Sequence, residues 1–125
     1  MSNRKKLVER RKDKRFQVKE GALAVLRPHP AKLGQIIDIS RGGLAFTYIA
    51  GEGKPTGSFE LEIFFSDNGF HLDKIQFETV SDFEIREVPF SSITMRRCGV
   101  RFGELTDNQV SQLEHFLRSY TLDNL

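Results

Sequence analysis

Between Ser58 and Phe65 the chain reads SFELEIFF, with Phe59, Leu61 and Ile63 alternating against Ser58, Glu60 and Glu62. A period of two fits a half-buried strand and no helix, because successive side chains of a strand point to opposite faces. The habit recurs along most of the sequence. Ala22 to Arg27 is a short apolar run stopped by Pro28 and Pro30, while Lys32 to Ile39 and Leu44 to Ile49 are rich in β-branched and aromatic residues on either side of SRGG. After the turn residues Asp67, Asn68 and Gly69, a fifth strand is expected, with Ile75, Phe77 and Thr79 facing one way and Lys74, Gln76 and Glu78 the other. Phe83 to Val88 and Ile93 to Phe102 continue the pattern. Six or seven short antiparallel strands at near-regular spacing predict a closed or nearly closed barrel.

The period changes only at the end. Thr106 followed by Gln109 makes a capping box, and Asp107 complements the helix dipole at the first turn. Val110, Leu113, Phe116, Leu117 and Tyr120 then line one helical face, which predicts a helix over about 106–120 packed on the barrel. The fold class expected is therefore all-β with a C-terminal α-helix, its core filled largely by the 11 phenylalanines in the absence of tryptophan. At 125 residues, without an internal repeat or low-complexity linker, one domain is expected.

The net charge of +2 conceals an asymmetry. Residues 1–20 hold nine Lys or Arg against three acids, and the remaining 105 hold ten against fourteen, so a +6 arm is joined to a −4 body. Residues 1–15 read as a flexible basic arm, since MSNRKKLVERRK offers only Leu7 and Val8 to bury, and residues 16–125 as the folded unit. Cys98 alone can form neither an internal disulfide nor a multi-thiolate zinc site. His29, His71 and His115 are far apart, so sequence spacing alone offers no metal site. With no apolar run of the ~20 residues a membrane helix requires and no secretory signal, a cytoplasmic location is expected. Catalytic patterns are missing too: there is no GxSxG elbow, and GEGKPTG (residues 51–57) lacks the spacing of a phosphate-cradling loop. A non-enzyme is expected.

Two short stretches stand out instead. In ERRKDKRF (residues 9–16) Arg11 and Arg15 are separated by three residues and Arg10 precedes them, and DISRGG (residues 38–43) lies at the turn between two predicted strands. Together, and in this order, they resemble the RxxxR and [DN]xSxxG signatures of the PilZ domain family. CGVRFGELTDNQVSQLEHFL resembles that family's last strand and C-terminal helix. The resemblance implies a six-stranded antiparallel β-barrel of split-barrel type that binds cyclic di-GMP, a bacterial second messenger. The ligand-binding residues it implies are Arg10, Arg11, Arg15, Asp38, Ser40 and Gly43, with Arg41, Gly42, Arg97 and Gly99 as additional candidates.

The residue types suit such a ligand, which carries two phosphates and two guanines. An arginine fork bonds phosphate oxygens or guanine O6 and N7, and its flat face stacks on a base. Asp38 offers an acceptor for guanine N1 and N2, Ser40 a hydroxyl for a phosphate or for the turn itself, and Gly43 a close approach. Arg10 beside the first motif arginine would favour an intercalated ligand dimer. Ordering of the arm on binding would then signal to an unidentified downstream protein. The alternatives are a ligand-free interaction module of the same family and a small nucleic-acid-binding β-barrel. The acidic body disfavours the second, because it repels a long polyanion. A plainer reading gives Asp38, Ser40, Gly42 and Gly43 only turn duties.

Overall fold

A computed structural model describes residues 14–27, 33–50, 60–67, 69–87 and 94–122. The elements are β1 (Phe16–Gln17), β2 (Ala22–Arg27), β3 (Leu33–Ile39), β4 (Gly43–Ala50), β5 (Glu60–Phe65), β6 (Phe70–Glu87), β7 (Thr94–Phe102) and α1 (Asp107–Ser119). All strand pairs are antiparallel in the order β1-β3-β2-β5-β6-β7-β4, and a further β3–β4 pairing closes the ring. The result is a six-stranded barrel, β2 to β7, with the two-residue β1 added to the end of β3.

One difference from the sequence reading concerns β6. The two expected segments around Ile75–Thr79 and Phe83–Val88 form a single strand of 18 residues, whose first part pairs with β5 and whose second part pairs with β7. Register shifts between Thr79 and Ser81 and between Glu84 and Arg86 break the period-two pattern, so the strand reads as two pieces. Ile75 is buried and Phe77 packs on the core as expected, while Thr79 is exposed.

The core runs through the barrel to the helix and includes Leu26, Ile36, Ile39, Phe46, Leu61, Ile63, Leu72, Ile75 and Cys98. Leu113, Phe116 and Tyr120 close one side, with Tyr120 stacked on Phe65 at 4.3 Å and Phe116 tilted against Phe70 at 5.4 Å. Phenylalanine fills less of this core than the pattern suggested: Phe83 is exposed and Phe64 lies on the outer face against His71. Val110, expected on the buried stripe, is exposed.

The helix start is pinned as the sequence indicates. Gln109 N–H donates to Thr106 Oγ1 at 3.1 Å, and Thr106 N–H to Gln109 Oε1 at 2.9 Å. Gln109 Nε2 also donates to the carbonyls of Asp73 and Lys74, both at 3.0 Å, which ties the cap to β6. At the other end Lys19 N–H donates to Tyr120 O and Leu122 N–H to Gln17 O, so the chain after the helix holds the segment that follows the arm.

Candidate functional site

Register shifts between Ile36 and Asp38, where one residue more on β3 faces β4. Residues two apart on a strand share a face, so without the bulge Asp38 would follow Ile36 into the core. The inserted residue turns Asp38 outward and returns Ile39 to the interior, where Ile36 and Ile39 are both buried. On the outer face Asp38 is paired with Ala45 of β4, Ala45 with Gly99 of β7, and Gly99 with Ser81 of β6. This row of small side chains is the floor of a groove of about 210 Å³ whose rim includes Arg15, Val80 and Arg97. A Cβ on Gly99 would lie 2.7 Å from Ser81 Oγ, so glycine keeps the floor low there.

Two guanidinium groups converge on one carboxylate. Arg15 Nη1 donates to Asp38 Oδ1 at 2.8 Å, and Arg97 Nη2 donates to Asp38 Oδ2 at 3.3 Å. β1 brings Arg15 there, since Gln17 is registered with Asp38. Arg97 arrives from β7 two residues along from Gly99 on the same face. The Arg15 side chain is 64% exposed, so its ion pair with Asp38 adds little to stability but leaves the cation open to an anion.

The neighbouring turn is closed by its own hydrogen bonds. Ser40 is buried, its Oγ accepts from Gly42 N–H at 3.1 Å and lies 3.4 Å from Gly43 O, and its own N–H donates to Gly43 O at 2.8 Å. Gly42 O accepts from Phe102 N–H at 2.8 Å. Gly43 is packed against the β7 backbone, where a Cβ would overlap the Val100 carbonyl oxygen. Arg41 turns away from Asp38 to Glu114 of α1, with Nε 2.8 Å from Oε2 and Nη2 3.2 Å from Oε1. Of the residues singled out in the sequence, the groove thus gathers Arg15, Asp38, Arg97 and Gly99, whereas Ser40, Gly42 and Gly43 lie in the turn and Arg41 on the helix side. Arg10 and Arg11 lie outside the described residues.

Val80, Ser81 and Ala45 were not anticipated in the groove. Val80 is the bulged residue of β6, and no periodicity signals a bulge. Arg96, adjacent to Arg97, points to the other face. Its Nε donates to Asp82 Oδ1 at 2.9 Å, and Tyr48 Oη donates to the same carboxylate at 2.8 and 2.9 Å. Burial, and then the hydrogen bond to Asp82, push the Tyr48 hydroxyl up to about 12. Nor did sequence spacing reveal that Glu62, His71 and Asp73 meet on the outside of the barrel, where their donor atoms lie within 4.8 Å of one another. No helix of the described residues is long and apolar enough to cross a membrane.

Comparison with known proteins agrees with this fold. The PilZ domain family model matches residues 9–119. Among solved structures, the PilZ domain with c-di-GMP of YcgR from Escherichia coli is similar in fold, with a TM-score of 0.59 at 20% identity, covering 89% of this chain and 91% of that one. No curated protein matches the sequence.

Proposed function

Because the chain belongs to the PilZ domain family, whose members are cyclic di-GMP receptors or adaptors rather than enzymes, we propose that it binds cyclic di-GMP over the Asp38 groove. The observation that carries this reading is the convergence of Arg15 and Arg97 on Asp38 above a floor of small residues. Two fixed cations suit a phosphate diester and offer planar faces for guanine, and the carboxylate suits the guanine N1 and N2 donors. The similar YcgR structure is of a PilZ domain with c-di-GMP, which supports the same ligand class.

At about 210 Å³ the groove is smaller than the ~300–1,000 Å³ usual for ligand pockets, so it supplies one wall of the site. The basic arm, residues 1–15, supplies the other in this reading, with Arg10 and Arg11 on the phosphates and bases and an intercalated ligand dimer as the bound form. Ser40, Gly42 and Gly43 act by shaping the turn beside Asp38, and Gly99 by keeping the floor open. Ordering of the arm changes the surface offered to a downstream protein.

Calorimetric titration with cyclic di-GMP, wild type against Arg11→Ala and Arg15→Ala, tests the proposal. Loss of a charge-assisted contact of ~1.5–3 kcal/mol corresponds to a weakening of about 10- to 150-fold for Arg15→Ala, with the unfolding midpoint unchanged. A ratio of two ligands per chain that falls to one in Arg10→Ala supports the dimer. Absence of binding by the wild type favours a ligand-free interaction module, and unchanged affinity in Arg15→Ala refutes the site.

A further inference from the structure

Away from the groove, the outer face carries a buried carboxylate. Alternation turns Leu61 and Ile63 into the core and Glu62 outward, yet Glu62 is only 7% exposed. Its two oxygens have different neighbours. Oε1 meets Arg27 Nε at the end of β2, and Oε2 lies 2.6 Å from His71 Nε2 on β6. The His71 ring is stacked on Phe64 at 4.6 Å and 11° between planes. Ile63 is registered with Leu72 and Leu61 with Ile75, so Asp73 and Lys74 together face Glu62 in a bulge marked by a φ of 60° at Lys74. The strand places His71 and Asp73, two apart, on the same outer face. Donor atoms of Glu62, His71 and Asp73 all lie within 4.8 Å of one another.

Two carboxylates facing across paired strands repel, and a buried one stays charged only when neighbours compensate it. Arg27 compensates Glu62 from the Oε1 side. Oε2 and the Asp73 carboxylate share the space in front of His71, where a cation would relieve their repulsion. We propose that Glu62 Oε2, His71 Nε2 and an Asp73 carboxylate oxygen hold one divalent transition-metal ion of the zinc type, with water as the fourth ligand. One imidazole with two carboxylates suits zinc, cobalt or nickel and lacks the thiolates that favour copper(I). Bond lengths of ~2.0–2.2 Å set neighbouring donors about 3.3–3.5 Å apart. His71, at 42% side-chain exposure, and the half-buried Asp73 have the freedom to reach that spacing around the fixed Glu62. Arg27 then orients the ligating carboxylate through its other oxygen. The ion would staple β5 to the first part of β6 on the outside of the barrel, with β2 joined to it through Arg27.

The test is titration of the untagged full chain with zinc chloride, read by calorimetry and by the thermal midpoint. One saturable ion per chain is expected, with a midpoint that rises with zinc concentration as mass action requires. His71→Ala and Asp73→Asn each weaken binding at least about tenfold, and His115→Ala leaves it unchanged. Should His71→Ala fail to fold, Asp73→Asn carries the test, since it keeps the shape of the side chain. No saturable binding by the wild type, or equal affinity in Asp73→Asn, overturns the proposal and leaves Arg27, Glu62 and His71 as an ion-paired cluster. The site shares no residue with the Asp38 groove, so cyclic di-GMP binding neither supports nor undermines it.

Discussion

Gly43→Ala separates two duties that the DxSxxG pattern runs together. Gly43 begins β4 opposite Arg101, and a Cβ there would overlap the Val100 carbonyl oxygen and lie 3.2 Å from the Arg101 Cα. Both obstacles are backbone, so neither swings aside as a side chain would. Restoring carbon separations of ~3.5–4 Å and freeing the oxygen requires β4 and β7 to part by about 1 Å. The strain falls where Phe102 N–H donates to Gly42 O and Ser40 N–H to Gly43 O, both at 2.8 Å. Overpacking of this kind costs about 1–3 kcal/mol, and one weakened backbone hydrogen bond adds about 1 kcal/mol. The sum, about 2–4 kcal/mol, lowers Tm by about 8–16 °C for a chain of this length. Urea unfolding followed by circular dichroism should show a lower midpoint with an unchanged m-value. A Gly43→Ala protein with the wild-type midpoint but weakened cyclic di-GMP binding would refute the argument, because the glycine would then serve the ligand and not the barrel.

Two further outcomes are expected. In an absorbance titration of the two tyrosines, Tyr48 should ionise near 12, and Asp82→Asn should move it back toward the ordinary value of 10 because both contributions of Asp82 raise it. The folded state holds the Tyr48 proton more tightly than the unfolded state, so the associated stability is fully present below about pH 10 and is lost as the pH rises through about 12. In the helix cap, Thr106→Ala should cost about 1 kcal/mol in urea unfolding, and Gln109→Ala more, because it also frees the Asp73 and Lys74 carbonyls. Equal costs for the two variants would show that the bonds from Gln109 to β6 add nothing.

The barrel was legible because alternation reports which residues face inward, and most of the strands are long enough to display it. β2, with its proline stop, matches the run Ala22 to Arg27 that the sequence delimits. The capping box at Thr106 was legible because both partners are local. What alternation could not convey is the insertion of single residues. The bulges at Ile37, Val80 and Asp73–Lys74 have no compositional mark, yet the first aims Asp38, the second lines the groove and the third faces Glu62 with Asp73. Glu62 reads as a solvated strand residue, and only the pairing of β5 with both β2 and β6 covers it. Likewise alternation puts Arg96 and Arg97 on opposite faces, but only the fold shows that one reaches Asp82 and the other Asp38.

Asp38 has the capacity to do more than hold its two arginines. An ionised carboxylate offers about four acceptor sites, two on each oxygen. Arg15 takes one on Oδ1 and Arg97 one on Oδ2, which leaves one on each oxygen. A guanine edge presents two adjacent donors, N1–H and N2–H, and so matches that remainder without either arginine being displaced. The arrangement also removes a cost that two bare guanidinium groups at one groove would carry, since each would repel the other until an anion arrived. With Asp38 between them the cations are already placed, which lowers the cost of ordering them around a ligand. A lysine at position 15 would keep the charge but could not present a planar face to a base while its other edge stayed on Asp38, so Arg15→Lys belongs with the damaging substitutions and not with the conservative ones.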